Sequence, residues 1–295
     1  MAGIQVVLGF DMETDIGSFT PFYEGLVHGT PVILDLLAEH GITATFFFTG
    51  DSVDKHPEVA RAVGDAGHEV GCHSLYHETV GDALFPVPSI SPLLPEEVPN
   101  RLRRATEMVE KAAGVRPLSF RCPRLFGSTA VVNALEELGY TADATYPMYF
   151  YRERLRPYHP GKDDWTKVGD LHIVELPNFA DLSMQSCDPY GRDMDQWPLF
   201  RTESAAAVLK HIDGYNDYCQ EHDTEPFLCF YFHPWEFHPM PQGPLHYGEA
   251  TVIPDPFLVR NCGDYAAEQL GILVGKLHQR GAEFLQARQA AKLAG

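Results

Sequence analysis

Short apolar runs rich in β-branched and aromatic residues alternate along the chain with longer segments whose apolar positions recur every three to four residues. The short runs IQVVLGF, TATFFFT, HEVGC, LSFR, TADATY, HIVELP, FLCFYF and EFLQA predict strands. Between them TPVILDLLAEHG, PEVARAVGDAGH, EEVPNRLRRATEMVEKAAG and STAVVNALEELGY predict amphipathic helices, several ending at glycine and one starting at proline. Alternation of this kind specifies repeated βα units around a parallel sheet or barrel. Two stretches break it, 183–201 and 234–261, the second rich in Pro, Gly, His and aromatics. Structured loops of that length often cover a site. With no internal repeat, low-complexity segment or linker in view, the expectation is one domain over residues 1–295 with those two stretches as loop insertions.

Composition narrows the partners. Asp and Glu number 41 against 22 Lys and Arg, a formal net charge of -19. That field repels polyanions, so nucleic acid and anionic membranes are not expected partners. No apolar run approaches the ~20 residues that span a bilayer, and the opening MAGIQVVLGFDME lacks the signature of a secretory leader, so a cytoplasmic protein is expected. The six cysteines form no C-x-x-C pair and read as reduced thiols. The closing ARQAAKLAG reads as a polar tail of low information. Oligomeric state is left open, a homo-oligomer included.

Polar clusters follow four of the predicted strands: FDMETD after VVLG, HSLYH after EVGC, RCPR after LSF, and HPWEFH after CFYF. In a parallel βα barrel those ends open on one face, where such folds build active sites. His73 and His77, four apart, can face the same way if the segment turns helical after its strand. Two neutral imidazoles and a carboxylate make a common divalent-metal site. Spacing alone suits two exposed loop histidines equally well. Asp11 and Glu13 alternate with Met12 and so point the same way along an extended segment, although an acid after a strand is often an N-cap or turn residue. Arg121 alone would suit a surface salt bridge, and His233 a satisfied core residue. Cys72 and Cys122 adjoin the motifs but alternate away from the pocket, as core thiols. Trp235 and Phe237 in HPWEFHPMP, and Trp197, offer stacking surfaces, or simply packing.

From VVLGFDME to FLCFYFHPWE the chain resembles the polysaccharide deacetylases with a NodB-homology domain, metal-dependent amide hydrolases on an irregular (β/α) barrel of about seven strands. HSLYH matches the family's H-[ST]-x-x-H metal motif; SFRCP resembles its R-x-P motif through Arg121 and Pro123; YFHPWE resembles its final histidine motif through His233. HPWE is the form of a subset linked to exopolysaccharide systems. The family's first motif, T-F-D-D, is GFDMET here, with Met12 at the ligand position. Some relatives carry D-x-[DE], which implies Asp11 as base and Glu13 as ligand. For the fourth motif KDDWTK offers Asp164 and Trp165, and VELPNFAD offers Asp181.

The resemblance implies catalytic Asp11, Arg121 and His233, metal ligands Glu13, His73 and His77, and substrate contacts from Trp235, Pro123 and Asp181. The ion would be zinc before Co, Mn, Fe or Ni, activating water for attack on an amide carbonyl. Asp11 would take the water's proton, Arg121 would orient Asp11, and His233 would protonate the leaving amine. The substrate would be a carbohydrate or small amide, most naturally an N-acetylated amino sugar or its polymer. A small-molecule amidase for cyclic amides, ureides or imides is the alternative, as is an inactive carbohydrate-binding protein, given Met12. A non-haem iron oxygenase shares the two-histidine, one-carboxylate centre, but its double-stranded β-helix does not suit this βα alternation.

Overall fold

The computed structural model describes residues 3–88 and 90–294. Eight strands form one sheet. β1 (Gln5–Met12), β2 (Thr45–Phe48), β3 (Glu69–Cys72), β4 (Ser119–Phe120), β5 (Ala142–Asp143) and β6 (Val174–Glu175) follow one another in parallel. β7 (Phe227–Phe232) lies on the other side of β1, in register from Gln5↔Phe227 to Phe10↔Phe232. A backbone bond of 2.8 Å from Phe179 N–H to the Cys229 carbonyl links the end after β6 to β7 and closes the curl. All eight predicted runs contain a strand, the last as β10 (Glu283–Phe284) beside β1, and the predicted parallel α/β architecture of about seven strands is the one observed. An antiparallel hairpin of β8 (Leu245–Tyr247) and β9 (Ala250–Val252) stands apart, inside the second loop insertion.

Strands buried on both faces explain the nearly unbroken apolar runs. In β1, Val6, Leu8, Phe10 and Met12 join the large core under the helices, whereas Val7 belongs to the barrel interior with Phe47, Ala142, Val174 and Cys229. β4, β5 and β6 are only two residues long, shorter than the sequence suggests. Side chains take the ladder's place beyond them: Arg121 Nε–H and Asn178 Nδ2–H both donate to the Ala144 carbonyl, at 2.9 and 2.8 Å. The Glu175 carboxylate likewise accepts from Thr145 N–H at 3.0 Å and Tyr146 N–H at 2.6 Å.

The four predicted helices appear at Thr30–His40, Pro57–Asp65, Val98–Ala113 and Thr129–Glu137. Gly41, with φ 64°, and Gly114, with φ 73°, end the first and third in the left-handed region that glycine occupies most easily. Two long helices were not anticipated, Ala205–Glu221 and Asp264–Gln279. The first had a legible signal, the Ser204 cap and buried Val208, Ile212, Tyr215 and Cys219 at helical spacing. The closing segment is not a bland tail. Ala287–Ala290 is helical, with Ala287 and Ala290 buried against the interior cluster, and Ala287 N–H bonds the Thr45 hydroxyl at 2.8 Å. This short helix plugs the barrel at the end opposite the polar clusters; Gly295 lies outside the described residues. Among the described residues no helix is long and apolar enough to cross a membrane.

Candidate metal centre and catalytic cleft

Period-two alternation decides which polar side chains enter the barrel. With Met12 wholly buried among helix-facing apolar residues, Asp11 and Glu13 on either side of it turn inward. Met12 thus faces away from the histidines, and the carboxylate beside them is that of Glu13. The same alternation buries Cys72 and Cys122 in the outer core while His73 and Arg121 point in. Burial pushes the Cys72 thiol up to about 12, so it is an inert core thiol at neutral pH.

His73 and His77 meet without the helical turn the spacing suggested. Residues 73–79 are irregular, with bends at 75–77, Ser74 at φ 68° and His77 at φ 60°. Gly50 N–H and Asp51 N–H hold the carbonyls of Ser74 and Leu75, each at 2.9 Å, and the Glu78 carboxylate folds back onto Tyr76 N–H at 2.5 Å. The two imidazoles stand 5.2 Å apart, centre to centre. Glu13 Oε2 lies 2.5 Å from His77 Nε2 and 3.7 Å from His73 Nε2. His73 Nδ1–H donates to the Arg121 carbonyl at 2.8 Å, which leaves the Nε2 lone pair facing the carboxylate.

This donor set fits a divalent ion. One atom each from Glu13, His73 and His77 lies within 4.8 Å of the others, and all three residues are buried. Glu13 Oε1 and His73 Nε2 are buried without a hydrogen-bond partner among the described residues, a costly state that a bound cation would relieve. Burial alone would raise the Glu13 carboxyl, but the His77 and His73 imidazoles outweigh it and hold it well below the usual carboxylate range. Burial keeps His77 below the ordinary histidine value despite that carboxylate. Glu13 is thus held as an anion and His77 favoured as a neutral imidazole, the forms that ligate metal.

Asp11 sits beside this triad, its Oδ2 4.0 Å from His73 Nε2. Its Oδ1 accepts from Arg121 Nη1–H at 2.9 Å. Arg121 is no surface ion pair: fully buried, it also donates to Asn178 Oδ1 and the Phe230 carbonyl, both at 3.3 Å, and lies 4.5 Å from the Phe47 ring centre. Gly9 makes room for it, since a Cβ there would meet Arg121 Nη1 at 2.2 Å. His233 Nδ1–H donates to Glu236 Oε1 at 2.9 Å, so Nε2 is the free nitrogen. Glu236 is itself wholly buried and accepts from Arg201 Nε–H at 2.5 Å and Trp197 Nε1–H at 3.0 Å. Burial would lower His233, yet the bond to Glu236 and the charges of Glu13, Glu236 and Asp11 raise it above the ordinary value.

Asp11, Glu13, His77, His233 and Trp235 line one cavity of about 230 Å³. The first insertion contributes Arg192 and Trp197 to its wall, the second Trp235 and Leu258. Two expected contacts lie elsewhere, as do the fourth-motif alternatives Asp164 and Trp165. Pro123 is buried beside Arg121 outside the lining, and Asp181 faces His211 Nδ1 at 3.0 Å and Ser183 Oγ at 2.6 Å. Asp164 is exposed and binds Thr166, while Trp165 is core. The residue that reaches Arg121 from the segment after β6 is Asn178, one position past the proline of HIVELP. Sequence reasoning overlooked Asn178, Glu236 and Arg201; only the Glu three places after His233 in HPWE left a readable trace.

Residues 5–142 match the sequence model of the polysaccharide deacetylase family. The chain is 32% identical over 179 residues to a Bacillus subtilis peptidoglycan-N-acetylmuramic acid deacetylase, covering 56% of this chain and 62% of the relative. It is 29% identical over 170 residues to a chitooligosaccharide deacetylase of Rhizobium leguminosarum bv. trifolii, covering 55% and 67%. The chain thus spans under two thirds of the Bacillus relative's length. In fold it is similar to a Mycobacterium smegmatis protein named for polysaccharide deacetylases, with TM-score 0.63 at 20% identity over 98% of this chain and 89% of that one. The matched segment, just under half of the chain, carries β1 to β4 with Asp11, Glu13, His73, His77 and Arg121, and over it this chain is similar to the polysaccharide deacetylases.

Proposed function

We propose that this chain is a metal-dependent hydrolase of non-peptide C–N bonds that removes an acetyl group from an amino sugar. The observation that carries this reading is the buried Glu13, His73 and His77 set, with its unpartnered donor atoms, lining one cleft with the Arg121-paired Asp11 and the Glu236-paired His233. Zinc, the favoured ion, would supply Lewis-acid polarisation of the amide carbonyl and acidify water when bound. Asp11 takes the proton from the attacking water, with Arg121 holding Oδ1 so that Oδ2 is the basic oxygen. His233 delivers a proton from Nε2 to the leaving nitrogen as the C–N bond breaks, giving acetate and the free amine. Glu236 fixes the ring and favours its protonated form.

The relatives named for peptidoglycan and chitooligosaccharide support an amino-sugar substrate. The cavity volume, about 230 Å³, supports a short one, because small-molecule pockets run from roughly 300 to 1,000 Å³. The same volume favours, as a second reading, a small cyclic amide. The test is acetate and ammonia release by zinc-reconstituted protein from an N-acetylated monosaccharide, its tetramer and a cyclic amide. We expect kcat/KM to be no higher on the tetramer than on the monomer; a clear rise with chain length overturns the one-unit cavity. Asp11→Asn is expected to retain about one metal ion per chain and lose at least roughly 100-fold in kcat, whereas Glu13→Ala loses the metal. The opposite pattern, read by elemental analysis, exchanges their roles.

A further inference from the structure

The cavity carries more positive charge than hydrolysis of a neutral amide requires. Arg124 and Arg192 both line it, in a chain whose net charge is -19. The acids in the same lining are Asp11 and Glu13, and both are engaged, Asp11 with Arg121 and Glu13 with His73 and His77. Among the described residues neither Arg124 nor Arg192 lies within 4.0 Å of a carboxylate oxygen. Arg124 Nη1–H donates to the His77 carbonyl at 3.2 Å, which fixes the arginine to the ligand loop. Arg192 is held between rings, its guanidinium carbon 5.1 Å from the centre of Phe85 and 5.9 Å from that of Tyr149. Stacking of that kind orients a guanidinium and leaves its in-plane N–H groups free.

The acids nearest Arg192, Asp195 and Asp188, favour its cation without contacting it and accept their hydrogen bonds elsewhere. Asp195 accepts from the Tyr231 hydroxyl at 2.5 Å and Trp197 N–H at 3.3 Å, and Asp188 Oδ1 accepts from the backbone N–H groups of Tyr190 and Arg192 at 2.8 and 3.1 Å. A half-buried guanidinium without an anionic partner is costly, and a bound oxyanion removes that cost through paired charge-assisted hydrogen bonds. Resting on the deacetylase reading of the site, we infer that the substrate carries an anionic group, a carboxylate or phosphate ester close to its amide, and that Arg124 and Arg192 bind it. The two arginines thus select which amide presents itself to Asp11 and His233.

Calorimetric binding to the zinc-loaded full-length chain tests this without turnover, using the amine products muramic acid, glucosamine 6-phosphate and glucosamine. N-acetylglycine and its uncharged methylamide form a pair free of any sugar. The expected result is at least about tenfold tighter binding of a charged ligand than of its neutral counterpart, about 1.4 kcal/mol. That preference should fall below about threefold in Arg192→Gln and in Arg124→Gln, and survive in part in Arg192→Lys, with metal content unchanged as the check on folding. The muramic acid and phosphate arms identify which oxyanion is bound. Equal affinity across the pairs, or a preference indifferent to both Gln variants, overturns the inference. Acetate release from the N-acetylated sugars is scored separately, so loss of the deacetylase reading with the charge preference intact is distinguishable from the reverse.

Discussion

Glu236 shows how much a single buried side chain can carry. Its own ionisation is secured against burial by Arg201 and His233, which hold it below the usual carboxylate range. In turn it directs the His233 Nδ1 proton and raises that imidazole's affinity for protons. The sign of the consequence is definite. If protonated His233 is the acid, activity falls as pH rises through its pKa, and a raised pKa extends the active range upward. Glu236→Gln keeps a hydrogen-bond acceptor but removes the charge. It is expected to lower kcat roughly tenfold or more and to move the alkaline limb of the kcat/KM profile to lower pH. A pH profile measured on metal-saturated variant and wild type checks this; an unmoved limb would assign the limb to another group.

Among the elements, the short closing helix Ala287–Ala290 has an influence out of proportion to its length. It brings two small side chains, Ala287 and Ala290, into the interior cluster with Val7, Phe47 and Val174. It also satisfies polar groups at the strand starts: Arg288 N–H bonds Glu69 Oε2 at 3.1 Å, and Gln286 Nε2–H bonds the Gly67 carbonyl at 2.9 Å. Glu69 further accepts from the hydroxyls of Thr45 at 2.9 Å and Ser119 at 2.6 Å, so the helix completes a buried network. Truncation after Leu285 opens the interior and leaves Glu69 and Thr45 short of partners. We expect a loss of about 2 kcal/mol or more, and a Tm several degrees lower by calorimetry. The site at the other end of the barrel would keep its metal content. The amphipathic pattern overlooked this helix because it is too short to display one.

At the scale of the whole molecule, stability should carry a pH signature from a second buried acid pair. Asp143 and Glu175 face the outer layer, each with one carboxylate oxygen lacking a partner among the described residues. Burial raises Asp143 to about 7, eased by the Thr145 hydroxyl, and raises Glu175 well above its ordinary value, where Asp143 adds to the effect. A folded-state pKa above the unfolded one means that the native state binds more protons. The contribution is therefore fully present below about pH 4 and is lost as pH rises through about 7. Asp143→Asn, which cannot ionise, should equal or trail wild type near pH 4 and exceed it at pH 8, by a few degrees in Tm. Parallel Tm curves for the two proteins from pH 4 to 8 would show that the pair stays in one protonation state.

Sequence alone determined the parallel βα architecture and the placing of four polar clusters at strand ends, because strand periodicity and strand-end position are local properties; the set of Asp11, Glu13, His73, Arg121 and His233 was legible there only through the family resemblance. The period of two along Asp11, Met12 and Glu13 pointed to Glu13 rather than Met12 beside the histidines, and the structure buries Met12 in the helix-side core. Tertiary structure alone decided the rest. The His73–His77 approach depends on left-handed Ser74 and His77, in a loop whose Ser74 and Leu75 carbonyls accept from the Gly50 and Asp51 amides, which no helical spacing encodes. Asn178 reaches Arg121 and the Ala144 carbonyl beyond the two-residue β5 and β6, while Asp181 pairs with His211 outside the cavity, contacts between segments far apart in sequence. The arginines of the cavity come from segments 68 residues apart in number, 124 and 192, and acquire a common purpose only where the fold folds both onto one wall. Residues that act within a few positions of each other are legible in order; residues that act across the barrel depend on packing that the linear pattern does not contain.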